Sequence, residues 1–253
     1  MSASAGRAGR RSALVTGASR GIGAGIAAEL AGRGFGLTVT ARDAARLEQV
    51  RGELLAAGAP AVRAVPGDLA DDAHLADAVD RHRDAYGSMD VLVLNAGVGT
   101  AGDVATYRMS RFDKTVAVNL RAPFRLVQLS LPMLRAAAAA DRARGARVIA
   151  LSSITGVYAE PGLAAYGATK AGLLSLVETL NAEESGHGVC ATALAPGFVD
   201  TDMAQWVADR IPPAGMIPVA DVVRLVGCLL DLSARSVLSR LVLTRAGSTG
   251  HEA

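Results

Sequence analysis

Lysine is nearly absent from this chain. Of its 26 basic side chains, all but Lys114 and Lys170 are arginine. Arginine is the default cation here, so a retained lysine asks for more than a need for positive charge. Aromatic residues are only 4% of the 253 positions, so a core must come from Ala, Val, Leu and Ile. The two cysteines, Cys190 and Cys228, lie far apart and make no metal spacing. That argues against disulfide stapling and fits a reducing cytoplasm. His74, His82, His187 and His251 do not cluster with carboxylates or thiols at ligand spacing, so no metal site is expected. A net charge of +2 leaves no electrostatic footprint for nucleic acid. No apolar run reaches the ~20 residues of a membrane-spanning helix. Neither a Pro/Gly/Ser-rich linker nor an internal repeat divides the chain.

Hydrophobic residues, by contrast, make up 51%, enough for a large core. Residues 1–11 read as a loose basic tail without a signal-type apolar region, and residues 12–253 as one domain. Candidate strands are Ala13–Thr16, Gly36–Thr40, Ala61–Pro66, Val91–Leu94, Arg147–Leu151, Val189–Ala195 and Leu241–Thr244. Several are continuous apolar runs, the pattern of strands buried on both faces. Helical stretches alternate with them: Gly21–Gly32, Asp43–Ala57, Asp71–Tyr86, Arg111–Ala139, Ala164–Glu184 and Ala220–Leu230. This alternation predicts an α/β, doubly wound, mostly parallel seven-stranded sheet of Rossmann type with helices on both faces.

The first strand runs into Thr16-Gly17-Ala18-Ser19-Arg20-Gly21-Ile22-Gly23, and a helix follows. Glycines there permit a tight turn and let a pyrophosphate approach the helix N-terminus, whose free N–H groups and dipole favour an anion. The second strand ends in Ala41-Arg42-Asp43. An acidic residue at the strand tip would accept from a free ribose 2′-hydroxyl. The tip here is Ala41, with Arg42 after it and Arg20 in the glycine loop, which favours a 2′-phosphate. NADP(H) is therefore the preferred cofactor and NAD(H) stays open, since Asp43 could take the ribose instead. Asp68, in Gly67-Asp68-Leu69, could accept from the adenine amino group, cap the following helix, or do both. Asn95-Ala96-Gly97 closes the fourth strand with small residues suited to a backbone lying against the cofactor.

Ser152 and Ser153 end the fifth strand, and Tyr166 and Lys170 share one face of the next helix at i and i+4. Ketone reduction needs a proton donor on the carbonyl oxygen. A phenol near ~10 is too weak an acid unless a neighbouring ammonium, or the positive charge of an oxidised nicotinamide, lowers its pKa. Ser153 could hold the carbonyl oxygen, and Asn119 could bend its helix and seat a water linking Lys170 to solvent. A Tyr-x-x-x-Lys pair also arises by chance as a core contact with a snorkelling lysine. The scarcity of lysine and the placement of Ser153 weigh against chance.

Taken together these residues resemble the short-chain dehydrogenase/reductase family in its single-domain form, particularly bacterial 3-oxoacyl-thioester reductases. The resemblance runs from Ala13 to about Ala246 and also takes in Pro196-Gly197-Phe198-Val199-Asp200-Thr201. It implies an NAD(P)-dependent oxidoreductase acting on a ketone or secondary alcohol. By resemblance Tyr166 is the acid/base, Lys170 binds the nicotinamide ribose and tunes Tyr166, Ser153 orients substrate, and Asn119 completes a proton relay. Val199 and Thr201 would hold the carboxamide, Asp68 would bind adenine, and Arg20 with Arg42 match NADP-preferring members. Two departures stand out. The fourth strand reads Leu94-Asn95 where many relatives have two Asn, and the last strand lacks a usual Asp-Gly-Gly close.

Residues near 200–218 form an apolar stretch with Met203, Trp206, Val207, Ile211, Met216 and several prolines. In the family this stretch covers the substrate, which favours a greasy ketone; equally, Trp206 could pack on the domain or on another subunit. Arg108, Arg111, Arg121 and Arg125 are the only candidates for an acyl-carrier patch, and they could be a solvated helix face. Other readings are a sugar or steroid alcohol dehydrogenase and a non-catalytic NADP-binding sensor or scaffold. The resemblance implies a homotetramer or homodimer, with Ala168, Ala171, Leu174 and Val177 dividing between core and interface.

Overall fold

The computed structural model describes residues 11–99 and 101–248. The tail expected at residues 1–11 lies outside them except for Arg11. Seven strands, β1 (Ser12–Thr16), β2 (Gly36–Ala41), β3 (Val62–Pro66), β4 (Val91–Leu94), β5 (Ala146–Leu151), β6 (Val189–Pro196) and β7 (Arg240–Leu243), form one sheet. Every pairing is parallel, in the order β3-β2-β1-β4-β5-β6-β7. The chain leaves β1 towards one edge and returns through β4 towards the other. At that reversal a crevice opens beyond the carboxyl ends of the strands.

Continuous apolar runs become strands because both sheet faces are covered. In β1, Ala13 and Val15 point into one core with Ile26 and Leu30, while Leu14 points into the other with Leu126 and Leu134. The first layer holds α1 (Gly21–Gly32), α2 (Ala44–Ala56) and α7 (Val219–Asp231); the second holds α3 (Asp72–Tyr86), α5 (Ala122–Ala140) and α6 (Ala164–Glu184). With few aromatics available, these cores are filled by branched aliphatics and alanine. The terminal strand β7 departs from this pattern, with its residues alternating between exposed and half-buried.

The stretch expected as one helix over Arg111–Ala139 is three pieces: α4 (Met109–Val116), a π-helical turn (Ala117–Arg121) and α5. Pro123 explains the break. It has no N–H for the carbonyl of Asn119, and its ring would crowd that carbonyl in a regular helix. The wider turn relieves the conflict, with Ala122 N–H reaching back to Ala117 O. Asp68 corrects a second expectation. Its carboxylate accepts from Ala70 N–H at 3.0 Å within its own turn, and the cap of α3 is Asp71, which accepts from Ala73 N–H at 2.9 Å. Asp43 is likewise the cap of α2, accepting from Arg46 N–H at 3.0 Å.

Candidate active site

The glycine-rich turn is tied to both neighbouring strands. Gly17 N–H donates to Thr40 O at 2.8 Å, and the Asn95 side chain donates to Thr16 O and Gly17 O at 3.0 and 3.1 Å. Thr16 Oγ1 accepts from Asn95 and Ala96 N–H at 3.0 and 3.1 Å, closing the ends of β1 and β4 together. Gly17 sits at φ +65°, where a side chain is strained, and a Cβ on it would meet Asn95 and Ala96 within 3 Å. Gly21, at φ +56°, faces Thr201, which a Cβ would approach at 3.3 Å. The first turn of α1 has no acidic residue and no side-chain cap, so its N–H groups are left for an anion. These features fit a dinucleotide pyrophosphate.

A cavity of about 820 Å³ opens above this turn. It is lined by Gly17, Ser19, Arg20, Gly21, Ile22, Arg42, Asp68, Leu69, Asn95, Ala96, Gly97, Ser153, Tyr166, Lys170, Pro196, Gly197, Val199 and Thr201. Gly23 and Asn119 do not reach the cavity surface. Gly23 is a packing position, where any Cβ would collide with Gly17 O. Asn119 is fully buried behind the wall. Its amide accepts from Val98 N–H and donates to Val98 O, both at 2.8 Å, and reaches Thr169 Oγ1 at 3.2 Å. It nonetheless converges on Lys170. A Cβ on Gly97 would sit 3.4 Å from Lys170 Nζ and 3.5 Å from Asn119 Oδ1.

Lys170 Nζ donates to Leu151 O at 2.6 Å, and Ser152 Oγ donates to Lys170 O at 2.9 Å, clamping α6 to the end of β5. Burial lowers the Lys170 ammonium to about 8. Tyr166, half-buried, is pushed up to about 12 by burial, against which its side-chain hydrogen bond with Ser153 works in the opposite direction. The sequence reading expects a phenol lowered by the ammonium. Here burial wins instead, and the Lys170 charge is turned to a backbone carbonyl, 5.5 Å from the centroid of the Tyr166 ring. Ser153 Oγ is itself held by Thr155, whose hydroxyl donates to it at 2.9 Å.

Residues 11–211 match the short chain dehydrogenase family. The chain belongs to that family. It is 34% identical over 202 residues to the 3-oxoacyl-acyl-carrier-protein reductase of Staphylococcus aureus, covering 79% of each chain. To the 2-(R)-hydroxypropyl-CoM dehydrogenase of Xanthobacter autotrophicus it is 33% identical over 204 residues, again covering 79% of each. Among solved structures, a short chain dehydrogenase from Burkholderia cenocepacia in complex with NADP superposes at a TM-score of 0.81, with 31% identity over 92% of this chain and 95% of that one. The 3-oxoacyl-acyl-carrier-protein reductase of Brucella melitensis in complex with NAD gives a TM-score of 0.83 and 31% identity, over 94% and 96% of the two chains. This short-chain dehydrogenase is therefore an oxidoreductase acting on a CH–OH or carbonyl group.

The short-chain dehydrogenase cleft has wall residues that the sequence reading passed over. Val98, Gly99, Thr155 and Leu163 line it, and so does Lys114 of α4. Lysine scarcity singles out Lys114 in the sequence, yet nothing in the spacing says which way it faces. Beyond β6 the chain runs through 3-10 turns at Asp202–Val207 and Pro213–Gly215. It is pinned at its base, where Ile217 N–H donates to Phe198 O and Asp200 N–H to Ile217 O, both at 2.9 Å. Ala204, Val207, Ile211 and Met216 make a small core of its own against Phe198. Met203 and Trp206 are left 52% and 57% exposed on the cleft wall, Trp206 standing edge-on to Phe198 at 5.8 Å. No helix among the described residues is long and apolar enough to cross a membrane.

Proposed function

We propose that this enzyme is an NADPH-dependent reductase of a neutral, apolar ketone, running as a secondary-alcohol dehydrogenase in reverse. The observation that carries the reading is the convergence of Ser153, Tyr166 and Lys170 on one cavity whose other end offers Arg42 and no carboxylate at the tip of β2. NAD(H) remains the second choice of cofactor. Gly17, Ser19, Gly21 and Ile22 would hold the pyrophosphate, Arg20 and Arg42 the 2′-phosphate, and Asp68 with Leu69 the adenine. Asn95, Ala96, Gly97, Pro196, Gly197, Val199 and Thr201 would line the remainder. Bound there, the nicotinamide supplies the hydride.

The chain's own residues handle the proton and the geometry. Tyr166 Oη holds the proton that the substrate oxygen takes; with its phenol raised to about 12, the group is protonated at neutral pH. Ser153 hydrogen-bonds to the same oxygen as charge gathers on it. With the nucleotide bound, Lys170, together with the positive charge of the oxidised nicotinamide, would lower the cost of the phenolate left behind, and Asn119, through Val98 and Gly97, keeps the relay region in register. Residues 200–218 act as a lid that excludes water and grips the ketone with Phe198, Met203 and Trp206.

The resemblance to 3-oxoacyl reductases keeps 3-oxoacyl thioesters within the substrate class. Arg121 is engaged by Asp72 and Arg125 by Gln128, so an acyl-carrier patch there would rest on Arg108 and Arg111. We further infer a homodimer or homotetramer in the cytoplasm: Phe124 of α5 is 57% exposed, and Ala168 and Ala171 of α6 face outward, while Leu174 and Val177 belong to the core. A kinetic panel decides the reading. NADPH oxidation with short ketones, β-ketoesters and acyl thioesters should exceed NADH oxidation, and Arg42→Ala should weaken NADPH alone. Equal use of both cofactors, or turnover of charged ketones only, would sink it.

A further inference from the structure

We propose that Lys114 is a cofactor-binding residue whose ammonium serves the adenosine end of the nucleotide site. The inference rests on the dinucleotide reading above and extends it to a residue outside the glycine turn and the strand tips. Both lysines of this arginine-rich chain line the same cavity. Lys170 has its role at the reactive end; Lys114 has none assigned.

Lys114 precedes Val118 by one helical turn, and both line the cavity, so this face of α4 and of the π turn forms one wall. The wall is fastened beside the turn that carries Asp68 and Leu69. Arg121, in the π turn, grips Asp72, the first residue of α3, with both guanidinium nitrogens, one of them at 2.7 Å. The Lys114 wall thus adjoins the proposed adenine pocket.

Charge accounting agrees. Lys114 makes no ion pair among the described residues, and neither does Arg42, whereas Arg20 is taken up by Asp202 at 2.8 Å. Arg42 and Lys114 are therefore the uncommitted cations available to a phosphorylated adenosine. A compact ammonium on a flexible stem can donate to a purine nitrogen, lie over the purine face, or reach a phosphate, without the fixed planar fork of arginine.

The test is calorimetric and needs no turnover. Dissociation constants for NADPH, for 2′,5′-ADP and for reduced nicotinamide mononucleotide are measured in the wild type, in Lys114→Met and in Lys114→Arg. Lys114 is exposed, so neither variant threatens the fold. We expect Lys114→Met to weaken NADPH and 2′,5′-ADP by about fivefold, the loss of one charge-assisted contact. Lys114→Arg should recover part of this, and the mononucleotide should be unaffected. An unchanged 2′,5′-ADP constant in Lys114→Met, beside clear binding by the wild type, overturns this proposal alone. If that result comes with a raised KM for the ketone, the lysine serves the substrate instead. Failure of the wild type to bind NADPH overturns the dinucleotide reading and this proposal together; a wild type that binds NADPH but not 2′,5′-ADP overturns this proposal alone.

Discussion

Arg20 and Asp202 meet at 2.8 Å across the mouth of the cleft, joining the glycine-rich turn to the segment behind β6. The side chains are 71% and 55% exposed, so the pair adds little to stability, ~0–1 kcal/mol at most. Its importance lies in competition. The guanidinium proposed to read a 2′-phosphate already has a carboxylate, which it must release.

Removing that competitor should tighten NADPH. In Asp202→Asn we expect the NADPH dissociation constant to fall ~2–5-fold, the NADH constant to stay put, and stability to change by less than ~1 kcal/mol. Fluorescence titration with both cofactors checks this. Weaker NADPH binding would show that Asp202 supports the site instead of competing for Arg20.

With two lysines in the chain, the Lys170 ammonium is open to direct titration by NMR of isotopically labelled lysine. The resonance that survives Lys114→Met belongs to Lys170, and without cofactor its midpoint should fall near about 8, below the ordinary 10.5. The linked stability has a definite sign. Between those values the unfolded chain binds this proton more tightly, so the contribution of Lys170 to stability rises with pH across the window. Tyr166 works in the opposite direction from 10 to about 12, because the native state there keeps the proton longer. A Lys170 midpoint at or above 10.5 would contradict the burial described here.

Asn119 is expected to act through the backbone it holds. Asn119→Ala leaves the N–H and C=O of Val98 without partners behind the cavity wall, at a cost of ~1–3 kcal/mol. In a chain of this size that lowers the melting temperature by roughly 2–12 °C. Cofactor binding should weaken along with it. A fully stable variant would mean that Val98 finds other partners, and that the Asn119 clamp is dispensable.

The fold was largely legible because the sheet is buried on both faces. Runs such as Val91–Leu94 match the observed strand, and the helices Gly21–Gly32 and Ala164–Glu184 agree end to end. Other boundaries shift by a residue or two where apolar content does not mark the last hydrogen bond. The π turn was not legible as such, since one extra residue per turn leaves no clear trace in the pattern; Pro123 and the bend expected at Asn119 are its local signs. Within the site, residue type marked the cleft well but not which glycine faces it. Gly21 and Gly23 look alike in sequence, yet Gly21 lines the cavity and Gly23 packs on Gly17. Asp68 was similarly ambiguous, because it could bind adenine or cap α3, and the cap is in fact Asp71. The Arg20–Asp202 contact depends on tertiary folding across 182 positions, which no local pattern encodes.

The central claim is that the phenol of Tyr166 delivers the proton to a carbonyl oxygen. Its most direct test compares ketone-dependent NADPH oxidation by the wild type and Tyr166→Phe, with NADPH affinity measured on both. The account predicts a fall in turnover of ~10²–10⁴ at nearly unchanged cofactor affinity. Turnover by the variant close to that of the wild type would contradict it.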